Sequence, residues 1–399
     1  MSKSSFTLLF AIALIAIAPT ILAAPDAADR AVLARLNKTV TIDAGELTLQ
    51  QAIETITEQA NVKTKINWPA LEIVGIDPKT TVWLNLKAVA AEQVLQIALD
   101  QASADAFDDD KAGFAVRDGR VVVSTRRQLK TVTKAHDYSI RKYLAAARGA
   151  VTVPEMVDLF IELININVGD PDGWLDEEST ITENKGILTV KTSEANHAEL
   201  EALFDMIDRP IDNARDLHNK LDAAAEARLK KRISHNKENA PLSEVIDAIR
   251  DATGLNIAVN WPSLELVSIE PDAIVAIQLE RKPASELLRL VLEHVSADAF
   301  DDDKAGYLVH DGIVYIDTLR MHKSRTETQV YKLSKWVGNR ASSEEAVEQV
   351  IEAVSENVGD PDEWLDEEST MTNLHGLLVV KTTRANHHKI AELLGKLRR

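Results

Sequence analysis

The chain has 399 residues, of which 45% are hydrophobic, and 63 acidic against 45 basic side chains give it a formal net charge of −18. This length allows two or three domains, and so negative a surface argues against nucleic acid as a partner because it repels phosphate backbones. The absence of cysteine excludes disulfides, thiolate metal sites and a cysteine nucleophile.

The first residues have the order of an export signal. Lys3 precedes an almost unbroken apolar run over residues 6–17, and Pro19 then leads to the small residue Ala23. This order predicts a secretory signal peptide over residues 1–23, and therefore a periplasmic or secreted protein. An uncleaved membrane anchor is the alternative, because the stretch is just long enough to span a bilayer. We expect no transmembrane domain in the mature chain.

The second part of the chain repeats the first. Residues 103–113 (SADAFDDDKAG) recur without change as residues 296–306, and residues 167–180 recur as residues 357–370 with one substitution. The offset falls from 193 to 190 between these two matches, so the second copy lacks three residues. A period of this size exceeds that of solenoid repeats and predicts a tandem duplication of a domain or a domain pair.

The first half of each copy combines helices and strands. Apolar residues at helical spacing over residues 49–56 are followed by a strand over residues 62–66, an alternating strand over residues 81–87 and a helix from about residue 90 to residue 102. The dipeptide Asp-Gly at residues 118–119 lies between apolar runs and predicts a hairpin.

The second copy carries the same signals. Its first helix is predicted over residues 242–253 and ends at Gly254, which suits the left-handed conformation that closes many helices. Asp-Gly recurs at residues 311–312 between apolar runs and predicts the equivalent hairpin.

The second half of each copy has another order. A strand around Tyr138 is followed by a helix near Pro154, a hairpin through residues 184–186 and a helix over residues 195–207. We therefore predict an α+β fold, duplicated in tandem. Each copy holds two small helix-backed sheets, the first βαββαββ-like and the second βαββα-like.

These patterns predict five segments after the signal peptide. They are a βαββαββ-like module over residues 30–137, a βαββα module over residues 138–209, a linker over residues 210–231, and the second pair of modules over residues 232–330 and 331–399. The linker is rich in charge and alanine and has few helix breakers, so a solvated connecting helix is predicted.

A family resemblance rests on three stretches, which lie in the first halves of the two copies. Residues 60–72 (ANVKTKINWPALE), residues 253–265 (TGLNIAVNWPSLE) and residues 91–101 (AEQVLQIALDQ) resemble the short N-terminal domain shared by secretins and TonB-dependent receptors. The second half resembles the βαββα modules that follow that domain in secretins. The resemblance implies modules that stack in the periplasm and contact other proteins. Because no β-rich pore region follows the modules, we do not expect an outer-membrane channel.

Acidic segments are the candidate metal sites, because several carboxylates in one loop can bind Ca²⁺. The candidates are Asp108, Asp109, Asp110, Asp301, Asp302, Asp303, Asp170, Asp172, Asp360 and Asp362. The alternative is a set of solvated loops whose aspartates form turns and caps. An EF-hand is excluded, because placing Gly173 at the sixth loop position puts Val168 first and Ser179 twelfth, where acids are required.

Four tryptophans at equivalent positions form a candidate interaction surface, and the alternative is that each closes one end of a small core. They are Trp68 with Trp261 and Trp174 with Trp364. Only His197 and His387 are equivalent histidines, and we predict that both lie on the surface of a helix. With no catalytic grouping and no cofactor motif, no catalytic residue is predicted.

The sequence therefore predicts an exported, non-enzymatic protein-binding or assembly module of the bacterial cell envelope, with other envelope proteins as partners. One alternative is an exported Ca²⁺-binding protein that uses the repeated acidic loops. A hydrolase with dispersed carboxylates is the other, because the geometry of such groups is not written in sequence.

Overall fold

The computed structural model describes residues 27–146, 152–169, 174, 179–212, 217, 219–336, 344–360, 364 and 369–397. The predicted signal peptide lies outside the described residues. Across these ranges the chain combines helices with several small sheets, which confirms the α+β class. No helix in the described ranges is long and apolar enough to cross a membrane.

The first copy comprises a double-sheet module, from α1 to α5, and a βαββα module, from β6 to α8. The elements of the double-sheet module are α1 (Ala27–Leu36), β1 (Thr39–Thr48), α2 (Leu49–Ala60), β2 (Thr64–Ile66), α3 (Trp68–Ile73), β3 (Thr81–Ala90), α4 (Ala91–Ala102), β4 (Ala112–Arg117), β5 (Arg120–Thr125) and α5 (Arg126–Lys130). Those of the βαββα module are β6 (Thr133–Ser139), α6 (Arg141–Ala146), α7 (Val153–Asn167), β7 (Thr180–Asn184), β8 (Ile187–Ser193) and α8 (Glu194–Asp208).

Two sheets build the first double-sheet module. β1 pairs antiparallel with β3, and β5 lies between the parallel strand β2 and the antiparallel strand β4. Helix α2 begins after Thr48 because the Thr48 hydroxyl accepts from the Gln51 amide while the Gln51 side chain accepts from the Thr48 amide. The alternation of β3 places Val82, Leu84 and Leu86 in the apolar core, as the sequence predicts.

The first βαββα module has one antiparallel sheet in the order β6-β8-β7. Thr152 and Glu155 form a capping box at the start of α7, with Pro154 in the first turn. Phe160 of α7 and Leu200 of α8 are buried in the same core as the sheet, so both long helices lie against it.

The second copy also comprises two modules, and we keep the name double-sheet module for the first of them although two short strand pairs replace its β1-β3 sheet. The elements of its double-sheet module are α9 (Lys220–Leu229), β9 (Arg232–His235), β10 (Ala240–Pro241), α10 (Leu242–Thr253), β11 (Asn256–Val259), α11 (Trp261–Glu265), β12 (Ile274–Val275), β13 (Leu279–Pro283), α12 (Ala284–Val295), β14 (Ala305–His310), β15 (Ile313–Thr318) and α13 (Leu319–Lys323). Those of its βαββα module are β16 (Thr326–Lys332), α14 (Leu333–Trp336), α15 (Glu344–Asn357), β17 (Thr370–Leu374), β18 (Leu377–Thr383) and α16 (Arg384–Leu397).

The strand orders of the two copies agree. β15 lies between β11 and β14, as β5 does between β2 and β4, and β18 lies between β16 and β17, as β8 does between β6 and β7. The copies differ in the remaining sheet, because β1 and β3 pair over nearly their whole length, whereas the second copy has the short pairs β9 with β13 and β10 with β12.

The segment predicted as a solvated linker contains helix α9, but that helix is not solvated on all sides. Ala225 and Leu229, four residues apart and so on one helix face, are buried in the core of the second double-sheet module. The prediction of a free connecting helix is corrected, because this apolar face packs against the module that follows.

A buried aspartate gives α9 the same role that α1 has in the first copy. Asp222 of α9 accepts a hydrogen bond from the Gly312 amide at 2.7 Å, and Asp29 of α1 accepts one from the Gly119 amide at 2.6 Å. Each aspartate therefore anchors the predicted Asp-Gly hairpin turn of its copy, where both turn residues have positive φ.

The two double-sheet modules contact each other through a buried glutamine. Gln101 accepts from the Trp83 amide at 2.7 Å and donates to the carbonyls of Trp83 and Val259, each at 3.1 Å. Beside it, the Asn256 side chain bonds both main-chain groups of Lys87, at 2.8 and 3.0 Å. These contacts hold β3 of the first copy against β11 of the second.

Candidate protein-binding surfaces

The segment that is unchanged between the copies lies mostly on the surface. Residues 103–113 connect α4 to β4 through a single 3₁₀ turn at Asp108–Asp110, and residues 296–306 connect α12 to β14 through the turn at Asp301–Asp303. We call these two turns the acidic turns. None of their six aspartates is buried.

Basic side chains of the same chain bind every aspartate of the acidic turns. The ion pairs of the first turn are Asp108–Lys111 (2.8 Å), Asp109–Lys130 (2.6 Å) and Asp110–Arg127 (3.1 Å). Those of the second turn are Asp301–Lys304 (2.7 Å), Asp302–Lys323 (3.0 Å) and Asp303–Arg320 (2.9 Å). In each copy, two of the three cations come from the short helix that follows the hairpin, α5 or α13, so these pairs fix the turn to that helix.

This arrangement bears on the predicted calcium site. Hydrogen bonds from Lys111 and Lys304 lower the pKa values of Asp108 and Asp301, so their carboxylates are ionised and already paired. Within the described ranges, no group of three or more acidic or histidine side chains is placed to hold a metal ion. The ion pairs favour the alternative in which the aspartates of the acidic turns form turns and caps.

The second set of calcium candidates gives no site within the described ranges. Asp360 is exposed to solvent at the end of α15, while Asp170, Asp172 and Asp362 lie outside the described residues.

Two apolar side chains stand out on the surface of each double-sheet module. Ile73 and Phe107 are 85% and 86% exposed in the first copy, and their counterparts Leu266 and Phe300 are 63% and 84% exposed in the second. These four are the most exposed large hydrophobic side chains among the described residues. We call them the apolar pairs. Surface hydrophobic residues are ordinary when single, but the same pair in both copies is not explained by the core.

The first apolar pair borders an open groove of about 610 Å³. Ile73, at the end of α3, and Phe107 both line the groove, as do the ion-paired Asp110 and Arg127. The Phe107 carbonyl accepts from the amides of Asp110 and Lys111 at 2.8 and 3.0 Å, which fixes the backbone at this position. The ring is therefore presented by an anchored turn.

The tryptophans contact apolar cores. Trp261 is buried, so its assignment to an interaction surface is corrected, and Trp68 is half-buried against the first core. The indole N–H groups of Trp174 and Trp364 donate to the carbonyls of Val168 and Val358 at 2.8 and 2.7 Å, just after helices α7 and α15 end. These contacts favour the alternative in which each tryptophan closes a small core.

The equivalent histidines are buried, so the prediction of surface histidines is wrong. Nε2 of His387 donates to the Glu327 carbonyl at 2.8 Å, and Nδ1 accepts from the Tyr331 hydroxyl at 2.8 Å. His197 makes the equivalent contacts with Lys134 and Tyr138, each at 2.9 Å. Because a carbonyl only accepts, Nε2 carries the proton of the neutral ring.

Burial dominates the titration of both histidines. Desolvation lowers the pKa of His387 to about 4 and also lowers the pKa of His197. A buried imidazole bound on both nitrogens has no free nitrogen to offer a substrate, so each histidine serves to lock a helix onto a strand.

No protein-family model matches the chain, and no curated protein matches it significantly. The indications of a function therefore come from the surface of the molecule. The unchanged segment is evident from the sequence, but Phe107 and Phe300 are not among the residues predicted to form an interaction surface. The available signal was a large aromatic residue kept within an otherwise polar stretch in both copies.

Proposed function

We propose that this chain is an exported, non-enzymatic protein-binding or assembly module of the bacterial cell envelope. The observation that carries the proposal is the recurrence of the exposed apolar pair at equivalent positions in both copies. The first half of each copy resembles the short N-terminal domain of secretins and TonB-dependent receptors, and this resemblance supports the same function. The signal-peptide pattern of residues 1–23 supports the location.

The chemistry of the apolar pairs suits a protein partner. A large aromatic ring supplies much contact area at small entropic cost, and such residues are frequent energetic centres of interfaces. Asp108 and Asp301 directly follow Phe107 and Phe300 in the sequence, and their side chains are 82% and 95% exposed. With a net charge of −18 for the whole chain, the complementary partner surface is an apolar recess bordered by basic side chains.

Two equivalent surfaces on one chain allow two-point attachment. The hydrogen bonds of Gln101 and Asn256 connect the copies, so binding at the first surface holds the second near its target. Such an arrangement raises the effective concentration for the second contact and strengthens attachment by orders of magnitude.

Photo-cross-linking from the exposed rings tests this function. A photoreactive phenylalanine analogue is placed at position 107 or at position 300 of the chain in its native envelope. We expect the same partner protein to be captured from both positions. Val153, exposed but outside the apolar pairs, is the control position and should capture none of it.

The captured partner is then tested against substituted chains. Phe107→Ser or Phe300→Ser should weaken binding about tenfold, and the double substitution should weaken it by more than about a hundredfold. Val153→Ser should bind like the unsubstituted chain. Capture of no common partner at positions 107 and 300, or equal capture at position 153, would contradict the proposal.

A further inference from the structure

One residue of the segment between the copies extends a sheet of the second copy. Ile211, which follows α8 and Pro210, forms a parallel bridge with Tyr331 of β16. Its amide donates to the Val330 carbonyl at 2.7 Å, and its carbonyl accepts from the Lys332 amide at 2.8 Å. The edge of the second β16-β18-β17 sheet is thus occupied beside Tyr331 by the main chain of Ile211.

Within the described residues, no strand or bridge lies along the equivalent edge of the first copy, which we call the open edge. Tyr138 faces Leu188 across the sheet in the same register as Tyr331 faces its partner in β18, so the Asp137 carbonyl and the Ser139 amide point away from β8. In the described part of the chain, β8 is the one strand that pairs with β6. These two main-chain groups are the counterparts of those that hold Ile211.

The side chains beside the two edges also differ between the copies. Ile211 lies in one apolar cluster with Tyr331 and Leu394, and Leu394 of α16 is fully buried. In the first copy the counterpart of Leu394 is Phe204, which stacks on Tyr138 with ring centroids 5.5 Å apart but stays partly exposed. Beside the open edge the ring of Phe204 is therefore partly exposed next to the buried Tyr138, where the filled edge has a fully buried leucine.

We propose that β6 is a docking edge for an extended segment of a partner protein. The segment binds parallel to β6 and exchanges hydrogen bonds with the Asp137 carbonyl and the Ser139 amide. It places an aliphatic residue that follows a proline against Tyr138 and Phe204. The occupant is defined by the chain itself, because Pro210-Ile211 fills the equivalent edge in this way. This inference rests on the proposed function, because it takes the binding partner to be a protein.

A peptide with the sequence of residues 207–214 (IDRPIDNA) tests the docking edge on the whole purified chain. Hydrogen exchange of the Ser139 amide is followed by NMR as the peptide is added. We expect exchange at Ser139 to slow at least about tenfold at saturation, while exchange at Lys332, already bonded to Ile211, does not change. A peptide that is N-methylated at the position of Ile211 should leave Ser139 unprotected.

Substitutions at the edge provide the second arm. Ser139→Pro removes the outward N–H and should abolish protection of β6 by the peptide, read at neighbouring amides, whereas Ser139→Ala should retain it. Equal effects of the plain and the N-methylated peptide, or no protection by either, would overturn the docking edge. That result would not affect the photo-cross-linking of a partner from positions 107 and 300. A failure of the docking edge can therefore be told apart from a failure of the proposed function.

Discussion

At the scale of single residues, the buried histidines link the stability of the βαββα modules to pH. His387 is neutral in the folded chain because its environment excludes water and its two ring nitrogens are already bound to Tyr331 and Glu327. A proton taken up there places an unpaired charge in an apolar core, which is costly. His197 makes the equivalent two hydrogen bonds in the first copy and also stacks on His136, with ring centroids 3.9 Å apart.

We expect the free energy of unfolding to fall as the pH drops. The unfolded chain binds a proton at His387 below its ordinary pKa of 6.5, while the folded chain resists protonation until about pH 4. The contribution is thus fully present above pH 6.5, decreases between these values, and is lost below pH 4. Complete loss amounts to about 3 kcal/mol.

Urea denaturation at pH 7 and at pH 4.5 measures this effect. The variant His387→Gln should be less stable than the unsubstituted chain at pH 7 but should lose less stability on acidification. The exposed His294, which lies in the double-sheet module, supplies the control, and His294→Gln should keep the pH dependence of the unsubstituted chain. Equal acid sensitivity of His387→Gln and the unsubstituted chain would remove His387 as the cause.

At the scale of elements, the same helix is closed by different residues in the two copies. The residue that follows helix α2 is Asn61, with φ of 54°, and the residue that follows α10 is Gly254, with φ of 69°. Both conformations are left-handed, a region that glycine enters freely and asparagine tolerates better than other residues with a side chain. Two residues with different side chains therefore serve one backbone requirement.

This difference predicts an order of stabilities for variants at Gly254. A Cβ added there meets no atom within 4 Å, so the cost of a substitution is conformational and not steric. We expect Gly254→Ala to lower the free energy of unfolding by about 1 kcal/mol, and Gly254→Asn to lower it less. Urea denaturation of both variants gives the comparison, and an equal loss for alanine and asparagine would contradict this explanation.

Elements with local signals could be predicted from the sequence. Helix α10 begins and ends where its apolar spacing and Gly254 indicate, and both Asp-Gly hairpins form as predicted. The burial of His387 could not be predicted, because its partner Tyr331 lies 56 residues away in sequence and the flanking residues are polar. The exposure of Phe107 also depends on the path of an anchored turn, which no periodicity reveals.

At the scale of the whole molecule, the contact between the copies joins two different surfaces. Asn256 and Ala258 of β11 lie in this contact, whereas the equivalent residues beside and within β2 of the first copy are the exposed Lys63 and Lys65. A head-to-tail contact of this kind can propagate from chain to chain when its surfaces are free. Lysines on an edge strand oppose such pairing, so the contact favours one chain with two fixed copies.

Gln101 provides the sharpest test of this contact. Gln101→Leu leaves the Trp83 amide and the carbonyls of Trp83 and Val259 without their partner in a buried place, so we expect a loss of about 2 kcal/mol in the free energy of unfolding. The equivalent residue of the second copy, His294, is exposed, and His294→Leu should change stability by less than about 0.5 kcal/mol.

The same variant should change local opening where the copies meet. Hydrogen exchange at the Trp83 amide should become faster in Gln101→Leu and stay unchanged in His294→Leu, because the acceptor for that amide is Gln101 and not His294. If both variants had the same small effect on stability and on exchange, the glutamine would not join the copies. Two-point attachment through Phe107 and Phe300 would then have to rely on the other contacts between the copies, such as those of Asn256 with Lys87.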